Sequence, residues 1–166
     1  MCALRLTSLL TLAGQYTSPL DLTTPTEAVS ILVPPNGQLY LNGTGGEQAD
    51  IWFTDKRTVV AAPETIDLRQ LPSAIVDAFG GNVSFTSLKE IVIFNTETAA
   101  GKNLTLSGGA MTAFGAGGNE TVGPRGIFHR SSPVDGFPII AGTGDLLTID
   151  PGVNTIIYHI ILLGVH

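Results

Sequence analysis

Charged residues are scarce in this chain. They make up 13% of its 166 residues, against about a quarter in an ordinary soluble protein. Eight Lys and Arg stand against 14 Asp and Glu, for a net charge of −6, so the clustered basic residues that neutralise phosphates are missing. No run of 18 apolar residues occurs, so we expect no membrane-spanning segment. The composition therefore predicts partners other than nucleic acid or membrane.

The residue patterns of most catalytic and metal sites are also missing. Cys2 is the single cysteine, so an intramolecular disulfide is excluded. The chain has no His-x-His, His-Glu-x-x-His, Cys-x-x-Cys or Gly-x-Ser-x-Gly, and these are typical of metal sites and serine nucleophiles. The sequence does not exclude a calcium site, because aspartate and carbonyl ligands have no distinctive sequence pattern. We expect a protein that is not an enzyme and needs no cofactor.

Turn residues and short apolar runs are what the chain has in abundance. Glycine and proline number 20 and 10, and hydrophobic residues make up 43%. Apolar runs alternate with turn signals every 8–12 residues, which is typical of a β-sandwich or barrel. The strand candidates are 29–33, 38–42, 49–61, 88–95, 103–107, 126–130, 138–141, 146–149 and 155–163. The sequence predicts an all-β fold, a jelly-roll-like antiparallel β-sandwich of about eight strands with one short helix.

The prolines at 19 and 25 and the polar residues around them suggest a boundary near residue 28. We expect 1–28 to form an extended N-terminal arm or strand, and 29–166 to form the sandwich domain. The period-two alternation of Ala3–Thr7 suits a strand that adds to an exposed sheet edge. The alternative is that Leu4–Leu12 is the first strand of the domain's own sheet.

Three local patterns give more specific predictions. Pro34-Pro35-Asn36-Gly37 predicts a hairpin turn between the first two strand candidates. Leu71, Ile75 and Phe79 are four residues apart and Gly80 follows, which predicts a helix over 71–80. The glycine-rich stretch 107–119 lacks the Gly-Lys-Ser/Thr of a phosphate loop and is interpreted as a flexible loop.

Two long apolar runs, Ile91–Phe94 and Ile156–Leu163, are typical of buried central strands. We expect the core to include Ile91, Ile93, Phe94, Ile157 and Ile161.

Short segments spread over residues 40–165 resemble small structural proteins found among the head genes of tailed bacteriophages. In chain order they are Asn42–Asp50 with Trp52, Asp55 and Arg57-Thr58, then Ile66–Leu68, Asp77–Gly80, Val83–Phe85, Leu88–Asn95, Leu104–Gly109, Gly142–Ile149 and Tyr158–Gly164. The resemblance implies a jelly-roll-type sandwich that decorates and cements the capsid exterior of the virion. It also implies the major capsid protein as partner and a homo-oligomer, most plausibly a trimer.

Under this interpretation the candidate interface residues are Leu4, Leu6, Leu9, Trp52 and Arg57. An alternative function is a carbohydrate- or receptor-binding sandwich of a phage tail or fibre, which predicts exposed aromatic side chains clustered beside Asp and Asn. A cupin-like enzyme would need metal-binding histidine pairs, and the sequence has none.

Overall fold

Strands account for most of the chain in the computed structural model. The structure describes the backbone of residues 5–17, 26–70, 83–142 and 144–166, with side chains from residue 38 onward. The strands are β1 (Arg5–Thr17), β2 (Thr26–Asn42), β3 (Gln48–Ala49), β4 (Ile51–Val60), β5 (Glu64–Asp67), β6 (Ser87–Asn95), β7 (Leu104–Ser107), β8 (Glu120–Val122), β9 (Ile127–Ser131), β10 (Phe137–Pro138), β11 (Leu146–Asp150) and β12 (Thr155–Val165). The helix in these residues is α1 (Gly109–Ala113).

Two antiparallel sheets form the sandwich. The first, called sheet I, has the order β4-β12-β6, with β9 and the very short β10 both pairing with β6. The second, sheet II, has the order β5-β11-β7-β8. Without the very short β10, eight strands run from β4 to β12. Numbered one to eight in chain order, they are arranged 1-8-3-6 in sheet I and 2-7-4-5 in sheet II. This is the strand order of a jelly roll. The predicted fold class is confirmed.

Strand β12 is the centre of sheet I. It pairs with β4 from Thr155 to Gly164 and with β6 from Tyr158 to Val165. A register shift falls between Leu163 and Gly164, where a Cβ on the glycine would overlap the Ser87 carbonyl oxygen. Glycine is therefore required for the close approach of β12 to β6 at this bulge.

The inner faces of the two sheets share one hydrophobic core. Ile91 and Ile93 are completely buried, as predicted. The prediction was wrong for Ile161, which is 40% exposed, and for Phe94 and Ile157, which are half-buried. Apolar residues occupy both faces of β12, so the sequence pattern does not show which face is inside. From Thr155 to Leu162 the buried residues of this strand are the even-numbered ones, Ile156, Tyr158, Ile160 and Leu162, and beyond them Leu163 and Val165 are buried too.

Helix α1 lies within the glycine-rich stretch for which we predicted a flexible loop. That prediction was wrong because Ala110, Met111 and Phe114 are buried in the core, and their burial favours a fixed conformation. Gly108 precedes the helix with φ +97°, and a side chain there would overlap the Leu146 carbonyl oxygen. The predicted helix over 71–80 lies outside the described residues.

The chain divides into two compact units, one of which is Arg5–Tyr40. Within it β1 and β2 are hydrogen-bonded neighbours. The predicted hairpin turn was wrong: β2 continues through Pro34–Gly37. A proline φ near −65° also suits extended chain, and proline is tolerated where a strand lacks a second ladder partner.

The second unit contains Leu41–His166 and therefore the whole sandwich. In it the end of β2 pairs with β3 in parallel, Leu41 opposite Gln48 and Asn42 opposite Ala49. The unit boundary falls 12 residues after the predicted one at 28. Arg5–Thr17 is a strand, and its role as an arm stays a prediction.

Candidate interaction surfaces

The outer side of sheet I carries several apolar side chains with polar ones such as Thr54, Thr58 and His159 between them. The ladder register places Ile161 opposite Val92 on β6, and Phe94 opposite Ile127 on β9. Val60 is 60% exposed and Ile127 is 59% exposed. We call this set the outer apolar face; its members are Val60, Val92, Phe94, Ile127, Ile157 and Ile161. Such a patch on a sandwich is typical of a contact surface.

Charge on this side of sheet I is low and nearly balanced. Lys56 on β4 is opposite His159, whose ring lies 6.5 Å from that of Phe94. Glu90 is mostly buried and its Oε1 lies 2.9 Å from Nε2 of His129. Lys56 and Glu90 are the only Lys, Arg, Asp or Glu among the outward positions of β4, β6, β9 and β12. The acidic excess of the chain therefore lies elsewhere.

His129 is two residues before Ser131-Ser132 in the sequence, and no spacing along the chain indicates which acid lies beside it. The structure supplies Glu90, because Val92 is paired with His129 and Glu90 with Ser131 across two adjacent strands. The His129–Glu90 pair lies on a flat sheet surface and joins β9 to β6. It is a cross-strand side-chain hydrogen bond.

The outer side of sheet II is polar. Its outward residues are Thr65, Asp67, Thr105, Ser107, Thr121, Leu146, Thr148 and Asp150, of which Leu146 alone is apolar. The Oγ1 atoms of Thr65 and Thr148 lie 3.4 Å apart across β5 and β11. The outer side of sheet I therefore has more apolar side chains than that of sheet II, and each side carries both kinds.

Arg57, one of the predicted interface residues, forms ion pairs within the molecule at one edge of the sandwich. Its Nη1 donates to Oδ2 of Asp55 at 2.9 Å, and its Nε donates to Oε1 of Glu64 at 2.9 Å. Nη2 also pairs with Glu64. These contacts join β4 of sheet I to β5 of sheet II and close one edge of the sandwich.

Tyr158 completes this cluster from β12. Its hydroxyl donates to Oε2 of Glu64 at 2.9 Å, and the side chain is fully buried. Burial and then the negative charge of Glu64 raise the pKa of Tyr158. The hydrogen bond to Glu64 is the main cause that raises the pKa of Arg57. Both groups therefore keep their protons over the whole physiological range.

A second arginine–glutamate pair closes the opposite edge. Nη2 of Arg130 on β9 lies 3.5 Å from Oε1 of Glu120 on β8. The guanidinium carbon also lies 5.1 Å from the centre of the Phe128 ring. At both edges the arginine belongs to sheet I and the glutamate to sheet II. Each pair therefore links the two sheets, one pair on either side of the core.

The other predicted interface residues have different surroundings. Trp52 is half-buried on the outward side of β4, opposite Leu163 of β12. Leu6 and Leu9 belong to β1, whose backbone alone is described, and Leu4 lies outside the described residues. Sequence reasoning did not single out Val60 and Ile127. The sequence carries no clear signal for them, because most outward positions of β4 and β9 are polar: Thr54, Lys56, Thr58, His129 and Ser131.

The aspartates next to glycine turns stabilise those turns by accepting hydrogen bonds from backbone N–H groups. Oδ2 of Asp145 accepts from the Gly142 N–H at 2.7 Å, and Oδ1 of Asp150 accepts from the Gly152 N–H at 2.7 Å. Oδ1 of Asp145 is buried and has no hydrogen-bond partner. Within the described ranges, no three His, Cys, Asp or Glu side chains are grouped as a metal would require.

Two further observations concern the alternatives. None of the Phe, Tyr and Trp side chains that the structure describes is exposed, so these ranges show no aromatic cluster of the kind a glycan-binding module uses. No helix among the same residues is long and apolar enough to cross a membrane.

Comparison with known proteins identifies no relative: no protein-family model, no curated protein and no solved structure matches this chain.

Proposed function

We propose that this protein is a structural component of a tailed-phage virion that decorates and cements the exterior of the capsid. It acts through contacts with the major capsid protein and carries out no chemical reaction. The identity of the partner rests on the resemblance of residues 40–165 to phage head proteins, which covers the sandwich unit.

One observation carries the structural part of the proposal. The sandwich exposes apolar side chains on one broad sheet, with Val60 and Ile127 more than half exposed, while its other sheet is polar on the outside. Exposed apolar side chains set among polar ones suit contact with another protein, because protein interfaces combine both kinds of residue. The part-buried Arg57–Glu64 pair links the two sheets of the proposed module at one edge.

The unit Arg5–Tyr40 supports attachment to a shell. Its strand β1 pairs with β2, and contacts with a partner would stabilise this pair further. We propose that this unit, which includes most of the predicted N-terminal arm, binds the major capsid protein.

Binding to capsids tests the function directly. Capsids assembled from the major capsid protein of the same phage are mixed with the full chain, sedimented, and analysed for bound protein. A variant without residues 1–40 and a variant with Thr121→Glu, on the polar outer side of sheet II, are compared. We expect the full chain and Thr121→Glu to sediment with capsids and to raise their melting temperature, and the truncated chain to lose binding.

The result that contradicts the proposal is a folded full chain that never sediments with capsids. A glycan array probed in parallel distinguishes the alternative. Glycan binding without capsid binding would assign the protein to the receptor-binding class.

A further inference from the structure

We infer that Asn42 is a site of spontaneous deamidation, in which its side-chain amide becomes a carboxylate through a cyclic imide formed with Gly43. The inference goes beyond the proposed function and does not depend on it, because the reaction needs only the folded chain and water. Asparagine is among the thermolabile residues, and Asn42-Gly43 lies where β2 ends.

The glycine that follows Asn42 favours the reaction. The backbone nitrogen of the next residue attacks the side-chain carbonyl carbon of the asparagine, and glycine has no Cβ to obstruct this approach. The fold also favours glycine here, because Gly43 has φ +144°, which residues with a Cβ rarely adopt. Asn103 is a matched contrast, since it is exposed as well but is followed by the buried Leu104.

The backbone on which Asn42 lies is weakly held. Its side chain is exposed, and β3 is two residues long, so it pairs with the end of β2 at two positions. The Gly43 N–H, which carries the attacking nitrogen, donates to the Ala49 carbonyl at 3.3 Å, beyond the usual range of about 2.7–3.2 Å. A short parallel pair that ends in a long hydrogen bond belongs to the part of a fold that opens locally with little cost.

The reaction balances with water as the only co-reactant. The Gly43 nitrogen forms a bond to Cγ of Asn42, the bond from Cγ to Nδ2 breaks, and ammonia leaves with the proton that the Gly43 nitrogen has given up. Water then opens the five-membered imide at one of its two carbonyl groups. Opening at Cγ gives aspartate, and opening at the backbone carbonyl gives isoaspartate, in which the main chain runs through Cβ and Cγ.

Isoaspartate changes the spacing of the backbone at the end of β2. The main chain becomes one carbon atom longer, so the Gly43 N–H no longer meets the Ala49 carbonyl, and ladder pairing depends on that register. Both products also add a negative charge to a chain whose net charge is already −6. We expect the isoaspartate form to lose the pairing of β2 with β3 and to keep sheets I and II, which do not include β2.

Peptide mapping of the full chain by mass spectrometry tests the inference. Folded wild type, Asn42→Gln and the control Asn103→Gln are incubated at mildly alkaline pH, and a urea-unfolded wild type sets the duration of the experiment. Asn42→Gln keeps the amide, but its imide would need a six-membered ring, which closes more slowly. An isoaspartyl methyltransferase labels isoaspartate, and the digestion separates Asn42 from the other Asn-Gly pair, Asn36-Gly37.

We expect the peptide with Asn42 to gain one mass unit and to accept the methyl label in the wild type and in Asn103→Gln. The corresponding peptide of Asn42→Gln should do neither, and the peptide with Asn103 should stay unchanged in the wild type. Hydrogen exchange of the separated isoaspartate form should be faster at the N–H groups of Leu41 and Gly43, which bond to the β3 region, and unchanged in β12.

Two results would overturn the inference. In the first, Asn42 of the folded wild type stays intact over the time in which the unfolded chain is converted, which means that the fold protects the site. In the second, the mass gain of this peptide persists in Asn42→Gln. Neither result bears on capsid binding, which the sedimentation experiment tests separately.

Discussion

Removing a single hydroxyl group at the edge of the sandwich tests the cluster that joins the two sheets. Tyr158→Phe keeps the fully buried ring and deletes only the donor to Oε2 of Glu64. Arg57 still holds the other carboxylate oxygen, so Glu64 keeps a charged partner. The change therefore isolates one hydrogen bond between β12 and β5.

The expected loss follows from the kind of bond and its exposure. A hydrogen bond to a charged group contributes about 1.5–3 kcal/mol. The Glu64 side chain is 23% exposed, so water can replace part of the lost bond, and we expect a decrease of about 1–2 kcal/mol in the free energy of unfolding. Urea denaturation measures it, with an unchanged slope because the surface exposed on unfolding is unchanged.

The same variant has a signature in alkaline solution. The pKa of Tyr158 is raised in the folded protein, so between about pH 10 and that higher value the unfolded chain has lost a proton that the folded chain keeps. Wild-type stability should therefore fall by up to about 1.4 kcal/mol per pH unit above pH 10, beyond the slope of Tyr158→Phe. The two stability curves should approach each other near pH 11.

Glu64→Gln is the companion variant. It keeps the volume and an acceptor for Tyr158 but removes the charge that Arg57 pairs with, so it should cost more than Tyr158→Phe. If Tyr158→Phe changes stability by less than about 0.5 kcal/mol, the range of ordinary surface substitutions, and leaves the alkaline slope unchanged, then the reasoning about this cluster is wrong.

Three further substitutions test the packing, each by urea denaturation. Gly164→Ala should cost about 1–3 kcal/mol, because its Cβ would overlap the Ser87 carbonyl at the bulge; a neutral result would contradict the close approach. Ile160→Ala should cost about 2–5 kcal/mol, and Ile161→Ala, on the exposed side of β12, clearly less; equal losses would mean that the assignment of faces is wrong. Met111→Ala should cost about 2–5 kcal/mol if α1 is part of the core, whereas a loss below about 0.5 kcal/mol would restore the loop interpretation.

The sequence was sufficient for the fold class, because strand spacing and turn residues are local signals. It was insufficient for the side of each strand that faces the core. Period-two alternation identifies a buried face only when the other face is polar, and Ile156-Ile157 or Ile160-Ile161 occupy both. The outer apolar face is the reason for that ambiguity, so the same feature that misled the core prediction marks the candidate interface.

Other features depend on distant parts of the chain and have no local signal. Glu64 is paired with Arg57 and Tyr158, which is 94 residues away, and no spacing predicts that contact. Helix α1 forms among glycines because Met111 and Phe114 have a core to enter, which propensity alone does not reveal. The sequence likewise does not show that β2 continues through two prolines. That depends on whether a neighbouring strand needs a backbone N–H donor at those positions.

The position of β12 gives the sandwich a direction in which it is mechanically strong. A pull along this strand loads its antiparallel hydrogen bonds to β4 and β6 in shear, so many bonds must break together. A pull that lifts a short edge strand such as β8 opens its few bonds one after another, each worth about 1 kcal/mol. Rupture under force is governed by the unfolding rate. A tether attached along β12 should therefore withstand a tension at which the sandwich, pulled at a short edge strand, would unfold.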